Sequence, residues 1–209
     1  MYGLEPEYID GLRVTTEQGL ALVEMVLLGV ANPRIVAALM NGGIEAQGLS
    51  GLDRGLVRAV KYQHPDGDLG RVGDVSSVRA EILRDLLDRN VIPVVAPICL
   101  GDDGAYNVNA DHVAGAIAGA LNADRIVFFT NVSGVLVNDE LVPHLTPQEV
   151  ESLIEDGTIR DGMIPKVRTA LDVLKRGVQR AVITDLDGFR AGTGTIFEGK
   201  IQTGETISQ

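Results

Sequence analysis

Helical and strand-like hydrophobic patterns alternate along the chain. After an extended beginning, Thr15-Thr16-Glu17-Gln18 reads as a capping box with Thr15 as N-cap, predicting a helix to about residue 28 that stops at Gly29. Asn32-Pro33 restarts a helix with Pro33 at its first position, and Gly42-Gly43 ends it. A short strand over 44–49 and a turn over 50–55 follow. LVRAVKY alternates, HPDGDLG is turn material and RVGDVSSV alternates again, which predicts an antiparallel hairpin flap over 56–78. Ile82, Leu83, Leu86 and Leu87 line one face of a helix over 80–90. The strand expected at 91–96 contains Pro93, which favours an edge or a bulge. Gly101-Asp102-Asp103-Gly104 makes a second hairpin-type turn.

The stretch 106–136 holds the strongest signals. Asp111 is well placed to cap a helix over 111–121, whose apolar stripe is Val113, Ala114, Ile117, Ala118 and Leu121. A short β-rich run, 126–129, then opens into Thr130-Asn131-Val132-Ser133-Gly134. Thr146-Pro147-Gln148-Glu149 caps a further helix, Pro165 begins one that ends at Gly177, and strands are expected at 178–184 and 194–197. This alternation predicts an α/β fold with a mainly parallel sheet sandwiched by helices and an antiparallel hairpin flap. A polar cluster entering a helix, followed by a strand that ends in a small-residue loop, is how such folds build small-ligand sites.

Composition narrows the class. At 209 residues with 45% hydrophobic positions the chain can bury a substantial core, and a net charge of −11 without a basic stripe argues against a nucleic-acid or membrane-surface partner. The single cysteine, Cys99, excludes an internal disulfide framework and fits a reducing cytosol, so a cytoplasmic protein is expected. No apolar stretch is read as approaching the roughly 20 residues that span a bilayer. His64, His112 and His144 have no ligand spacing, so no metal site is expected.

Three candidate groups remain, each with an ordinary alternative. Arg13 is a solvated loop arginine or a bidentate clamp on a carboxylate. Asn107, Asn109 and Asp111 are turn and cap residues or, in an extended segment, three polar groups converging on one side. Lys166 follows Gly162-Met163-Ile164-Pro165; a cation there opposes the helix dipole unless an anion occupies the helix N-terminus.

GLRVTT (11–16), EMVLLG (24–29), GLSG (48–51), DLGRVGDV (68–75), YNVNADHVAGAIAGAL (106–121), TNVSGVL (130–136) and DGTIRDGMIPKV (156–167) stand in an order that resembles the N-acetylglutamate kinases of the amino acid kinase family. The resemblance implies ATP-dependent phosphorylation of the side-chain carboxylate of N-acetyl-L-glutamate in arginine biosynthesis, with ATP entering as its Mg2+ complex. It implies substrate binding by Arg13 and Asn107, and catalysis by Lys166 on the transferring phosphoryl with Asp111 organising the lysines. Contacts to ATP fall to Asn131, Val132, Ser133, Gly134, Val135, Leu136, Thr158, Ile159 and Arg160. It further implies a homo-oligomer, a dimer or a hexamer, and one partial domain with a substrate lobe over 1–100 and a nucleotide lobe over 101–209. Against the family's pattern this chain is expected to lack the N-terminal strand, with its lysine, and the Gly-rich loops, and the family's long last helix is shortened here. A kinase of an N-modified aminoadipate in lysine biosynthesis is the alternative within this class. A catalytically impaired remnant with a binding or regulatory role is the alternative outside it.

Overall fold

The computed structural model describes residues 7–9, 12–160 and 162–198. They form two compact units, one ending at Leu121 and the other beginning at Asn122. The expected lobe boundary after residue 100 differs from this division because the strands on either side of it belong to one barrel.

In the first unit, β1 (Tyr8–Ile9) and β2 (Leu12–Arg13) form a short antiparallel ribbon. Helices α1 (Glu17–Val26) and α2 (Asn32–Asn41) come next, then β3 (Ala46–Ser50), β4 (Val57–Lys61) and β5 (Val72–Val78). They are followed by α3 (Ala80–Leu87), β6 (Ile92–Ala96), β7 (Ile98–Gly101), β8 (Gly104–Val108) and α4 (Ala110–Leu121). Strands β3 and β6 pair in parallel, while β4, β5, β8 and β7 close a small barrel in that order. The hairpin expected over 56–78 is the β4–β5 pair. The core gathers Leu56, Val57, Ile82, Leu83, Cys99, Tyr106, Val108 and Val113. Each fully buried leucine there stabilises the fold by about 1.5–3 kcal/mol relative to exposure.

Two helix starts sit one or two residues from their expected places. Thr16, not Thr15, caps α1, its Oγ accepting from the Gly19 N–H at 3.0 Å. Thr15 is unavailable because its backbone is held extended: its N–H donates to Leu69 O and its carbonyl accepts from Arg71 N–H. Likewise Asn109, not Asp111, caps α4, its Oδ1 accepting from the N–H groups of Asp111 (2.8 Å) and His112 (3.3 Å). Strand β8 ends at Val108, so the chain turns at residue 109 and the extended geometry that would align 107, 109 and 111 does not persist.

The helix that begins at Glu17 does not stop at Gly29. A π-helical turn, Leu27–Ala31, joins α1 to α2, with the Asn32 N–H donating to Leu27 O. One interior glycine costs only about 1 kcal/mol. The widened turn carries the chain past Pro33, which has no N–H to give. The result is a 25-residue helical run, Glu17–Asn41, long and apolar enough by length and composition to cross a membrane, contrary to the expectation that no such stretch exists.

In the second unit, β9 (Arg125–Phe129) leads to the ribbon β10 (Leu136–Val137) and β11 (Glu140–Leu141). Then come β12 (His144–Leu145), α5 (Pro147–Glu155), α6 (Met163–Lys175), β13 (Arg180–Thr184), α7 (Leu186–Ala191) and β14 (Thr195–Glu198). The sheet order is β12-β14-β13-β9, with β13 and β14 antiparallel and the other pairs parallel. The α/β class therefore stands, with mixed sheets. Thr146 and Glu149 make the full capping box expected of α5. Helix α6 starts two residues before Pro165, which is tolerated because a first-turn residue needs no intrahelical N–H bond.

Candidate active site

The residues expected on the substrate side, Arg13 and Asn107, belong to the first unit, as does Asp111. Arg13 ends β2 and is exposed. Two residues on, Thr15 is 4% exposed, and its Oγ accepts from Asn107 Nδ2 at 3.3 Å. That contact links the start of the helical run to β8 across 92 residues of sequence. It exists because Gly70 lets the flap touch Thr15: Gly70 has φ +68°, and a Cβ there would lie 2.4 Å from Thr15 O. Asp111 sits half-buried in the first turn of α4, relieved of the cap by Asn109.

A cavity of about 240 Å³ opens beside this contact, lined by Thr15, Thr16, Glu17, Lys61, Gly70, Arg71, Asp103 and Tyr106. Arg71 spans it, with Nε 2.5 Å from a Glu17 oxygen and a terminal nitrogen 3.0 Å from Asp103 Oδ2. Its guanidinium carbon lies 5.5 Å above the Tyr106 ring. The Tyr106 hydroxyl, first, and Arg71 hold the Asp103 carboxyl below its ordinary value. Burial, helped by Asp103, pushes the Tyr106 phenol up. In the sequence Arg71 stands only inside a flap motif; a lone arginine in a turn carries no signal for partners 32 and 54 residues away.

The residues expected to border the nucleotide belong to the second unit, as does Lys166. Thr130 donates its N–H to Thr184 O at the end of β13, which sets where the loop 130–134 leaves the sheet. Gly134 has φ +149°, and a Cβ there would lie 2.6 Å from Thr195 Oγ1, so the loop closes tightly on β14. Val135 is 1% exposed and donates its N–H to Thr195 Oγ1 at 2.8 Å. Ile159 is 2% exposed and donates its N–H to Leu153 O. Both side chains are therefore packing residues, and the Val135 carbonyl is engaged as well, accepting from Val142 N–H. Asn131, Leu136, Thr158 and Arg160 are exposed, and Thr158 N–H caps the Asp156 carboxylate. Lys166 is half-buried at the fourth residue of α6. Among the described residues no side chain caps α6 and none in its first turn is acidic, so its N-terminal N–H groups keep their anion-binding character. A second cavity, about 420 Å³, lies against the sheet and is lined by residues that include Val127, His144, Val182, Phe189 and Ile196; none of the expected nucleotide residues lines it. Among the described residues no three His, Cys, Asp or Glu side chains are grouped to hold a metal ion.

Residues 1–185 match the amino acid kinase family, and the chain belongs to that family. It is 56% identical over 200 residues to acetylglutamate kinase of Roseiflexus castenholzii, covering 95% of this chain and 77% of that protein. Among solved structures, a Streptococcus mutans UA159 protein superposes with a TM-score of 0.81 at 32% identity, over 93% of this chain and 78% of that one. N-acetylglutamate synthase from Neisseria gonorrhoeae, complexed with coenzyme A and N-acetyl-glutamate, superposes with a TM-score of 0.82 at 25% identity, over 95% of this chain and 48% of that one.

Proposed function

We propose that the chain is an ATP-dependent acetylglutamate kinase of arginine biosynthesis. The carrying observation is the 56% identity across 95% of the chain to a kinase of that name. An oxygen of the substrate's side-chain carboxylate attacks the γ-phosphorus of MgATP; the new O–P bond forms as the bond to the β-phosphate oxygen breaks, giving an acyl phosphate and ADP. Phosphoryl transfer asks little covalent chemistry of the protein, so positioned charge and donors supply most of the acceleration. Arg13 and Asn107 hold acetylglutamate, the guanidinium fork suiting a carboxylate. Lys166 and the uncapped start of α6 offset charge on the transferring phosphoryl, and Asp111 organises the cationic side chains. The backbone of 131–136 and residues Thr158 to Arg160 border the nucleoside. Magnesium arrives on the phosphates as part of the substrate.

The protein works as a cytosolic homo-oligomer. The carboxamide of Asn32 donates to Leu49 O (3.2 Å) and Val94 O (2.7 Å), which supports docking of the long helix on its own sheet rather than in a bilayer. The deciding experiment is an ADP-release assay with acetylglutamate and with an N-modified aminoadipate as rival acceptors. Acetylglutamate-dependent turnover at least tenfold faster supports the reading. Preference for the longer acid, or no turnover with either, defeats it.

A further inference from the structure

Arg71 occupies a junction that the proposed roles leave unexplained. Its peptide unit lies between two segments: its N–H donates to Thr15 O at 2.7 Å, and its carbonyl accepts from Asn107 N–H at 2.9 Å. Asn107 and Thr15 also touch through their side chains, so the three residues close a ring drawn from the approach to α1, the flap and β8. The Arg71 side chain spans the same three segments a second time. Its two ion pairs reach Glu17 in the first turn of α1 and Asp103 in the β7–β8 turn, and its guanidinium covers Tyr106, the neighbour of Asn107. Asp103 is itself tied to Tyr106 by a 3.1 Å hydrogen bond. The arginine side chain is 22% exposed whereas its carboxylate partners are 72% and 63% exposed, so the cation is the fixed member of the cluster. A planar fork presents its N–H groups to two acceptors in one fixed orientation; an ammonium on a flexible stem can reach two acceptors but does not fix their orientation.

We propose that Arg71 is a positioning residue for substrate binding: by clamping α1 and the β7–β8 turn to the flap, it fixes the carboxamide of Asn107 against Thr15. The inference rests on the reading of Asn107 as an acetylglutamate contact. It adds that the flap itself holds that contact in place, through a side chain that does not touch the substrate.

The test compares Arg71→Met, which keeps length but removes the fork, with Arg71→Lys, which keeps the charge. Two readouts are taken: steady-state kinetics with each substrate varied, and hydrogen exchange of the Asn107 peptide amide. Arg71→Met should raise KM for acetylglutamate about tenfold, with kcat and KM for ATP within twofold, consistent with lost ground-state binding. Arg71→Lys should fall between it and the wild type. Exchange at Asn107 should accelerate in Arg71→Met while amides of β9 and β13 keep their wild-type rates. Wild-type kinetics in Arg71→Met together with unchanged exchange at Asn107 would overturn the proposal. So would a parallel fall in kcat and melting temperature, which marks a merely structural residue. If the wild type ignores acetylglutamate, the functional reading fails by itself, and exchange at Asn107 still decides whether Arg71 clamps this junction. Should Arg71→Met not fold, the pair Glu17→Gln and Asp103→Asn removes the same two ion pairs from exposed positions and is read identically.

Discussion

Lys166 and Cys99 show how differently two single residues carry chemistry. Lys166 stands in the first turn of a helix, where a cation is disfavoured by the peptide dipoles unless it shares an anion with them. Replacing it by alanine should lower kcat by about 10²–10³ with little change in KM for acetylglutamate, as for loss of one preorganised transition-state donor. Initial-rate kinetics check this, and a kcat within threefold of wild type would remove the lysine from the mechanism. Cys99 is the converse: wholly buried in the first unit's core, with its thiol pushed up to about 12 by desolvation. Thiolate is the nucleophilic form, so at pH 8 the buried thiol stays protonated and unreactive. An aromatic disulfide reagent should leave the native chain unlabelled and modify it stoichiometrically in denaturant. Native labelling within minutes would show that the barrel opens.

At the scale of elements, one carboxamide fastens α2 to the β3–β6 pair. Asn32 is 8% exposed and satisfies two strand carbonyls, while Gly48 on β3 makes room for it: a Cβ at Gly48 would lie 2.1 Å from Asn32 Oδ1. Asn32→Ala should cost about 1–3 kcal/mol in urea unfolding by leaving those acceptors unpaired. Gly48→Ala should destabilise the wild type but much less the Asn32→Ala background, because the two substitutions attack one contact. Additive effects would break the coupling. A second prediction concerns the β7–β8 turn. The folded Asp103 carboxyl lies below its ordinary 3.8, so its contribution to stability is complete above about pH 4 and is lost as pH falls through the depressed folded value. The melting-temperature gap between wild type and Asp103→Asn should therefore be constant from pH 7 to about pH 5 and narrow below pH 4. A gap that widens on acidification would reverse the assigned sign.

These elements also show what a sequence can disclose. Periodicity located α1 to α6 and the strands β3 to β6, β9, β13 and β14, but not α7 or the two-residue strands β10, β11 and β12, whose patterns are too short to register; the Thr146 capping box was legible because all its partners lie within three residues. The caps of α1 and α4 were misplaced because long-range pairing decided them: Thr15 is claimed by the flap, and β8 hands over to its helix at Asn109. The continuous run through Gly29 and Pro33 was hidden for another reason, since local breaker rules do not anticipate a π-helical turn. Family motifs supplied Arg13, Asn107, Asp111 and Lys166. The Arg71 cluster could not be read in advance, because it exists only once three distant segments meet.

For the molecule as a whole, the long helix poses the main physical question. Only 11% of its most apolar window is buried within the chain, and Met25, Val26, Val30, Ile35 and Met40 are each 41–51% exposed. Soluble monomers seldom present contiguous apolar surface beyond a few hundred Å², and a two-fold dimer, the commonest soluble oligomer, would cover such a face isologously. At a net charge of −11 two chains repel at long range, so the proposed pairing rests on short-range apolar contact and should strengthen with salt. Sedimentation equilibrium at tens of micromolar should therefore give a mass of at least twice 22.2 kDa. Val30→Glu with Ile35→Glu should return it to one chain, since each glutamate would otherwise be desolvated in the paired face. A wild-type mass of 22.2 kDa that does not change with salt or concentration would exclude the homo-oligomer, and the exposed helix would then need a different occupant.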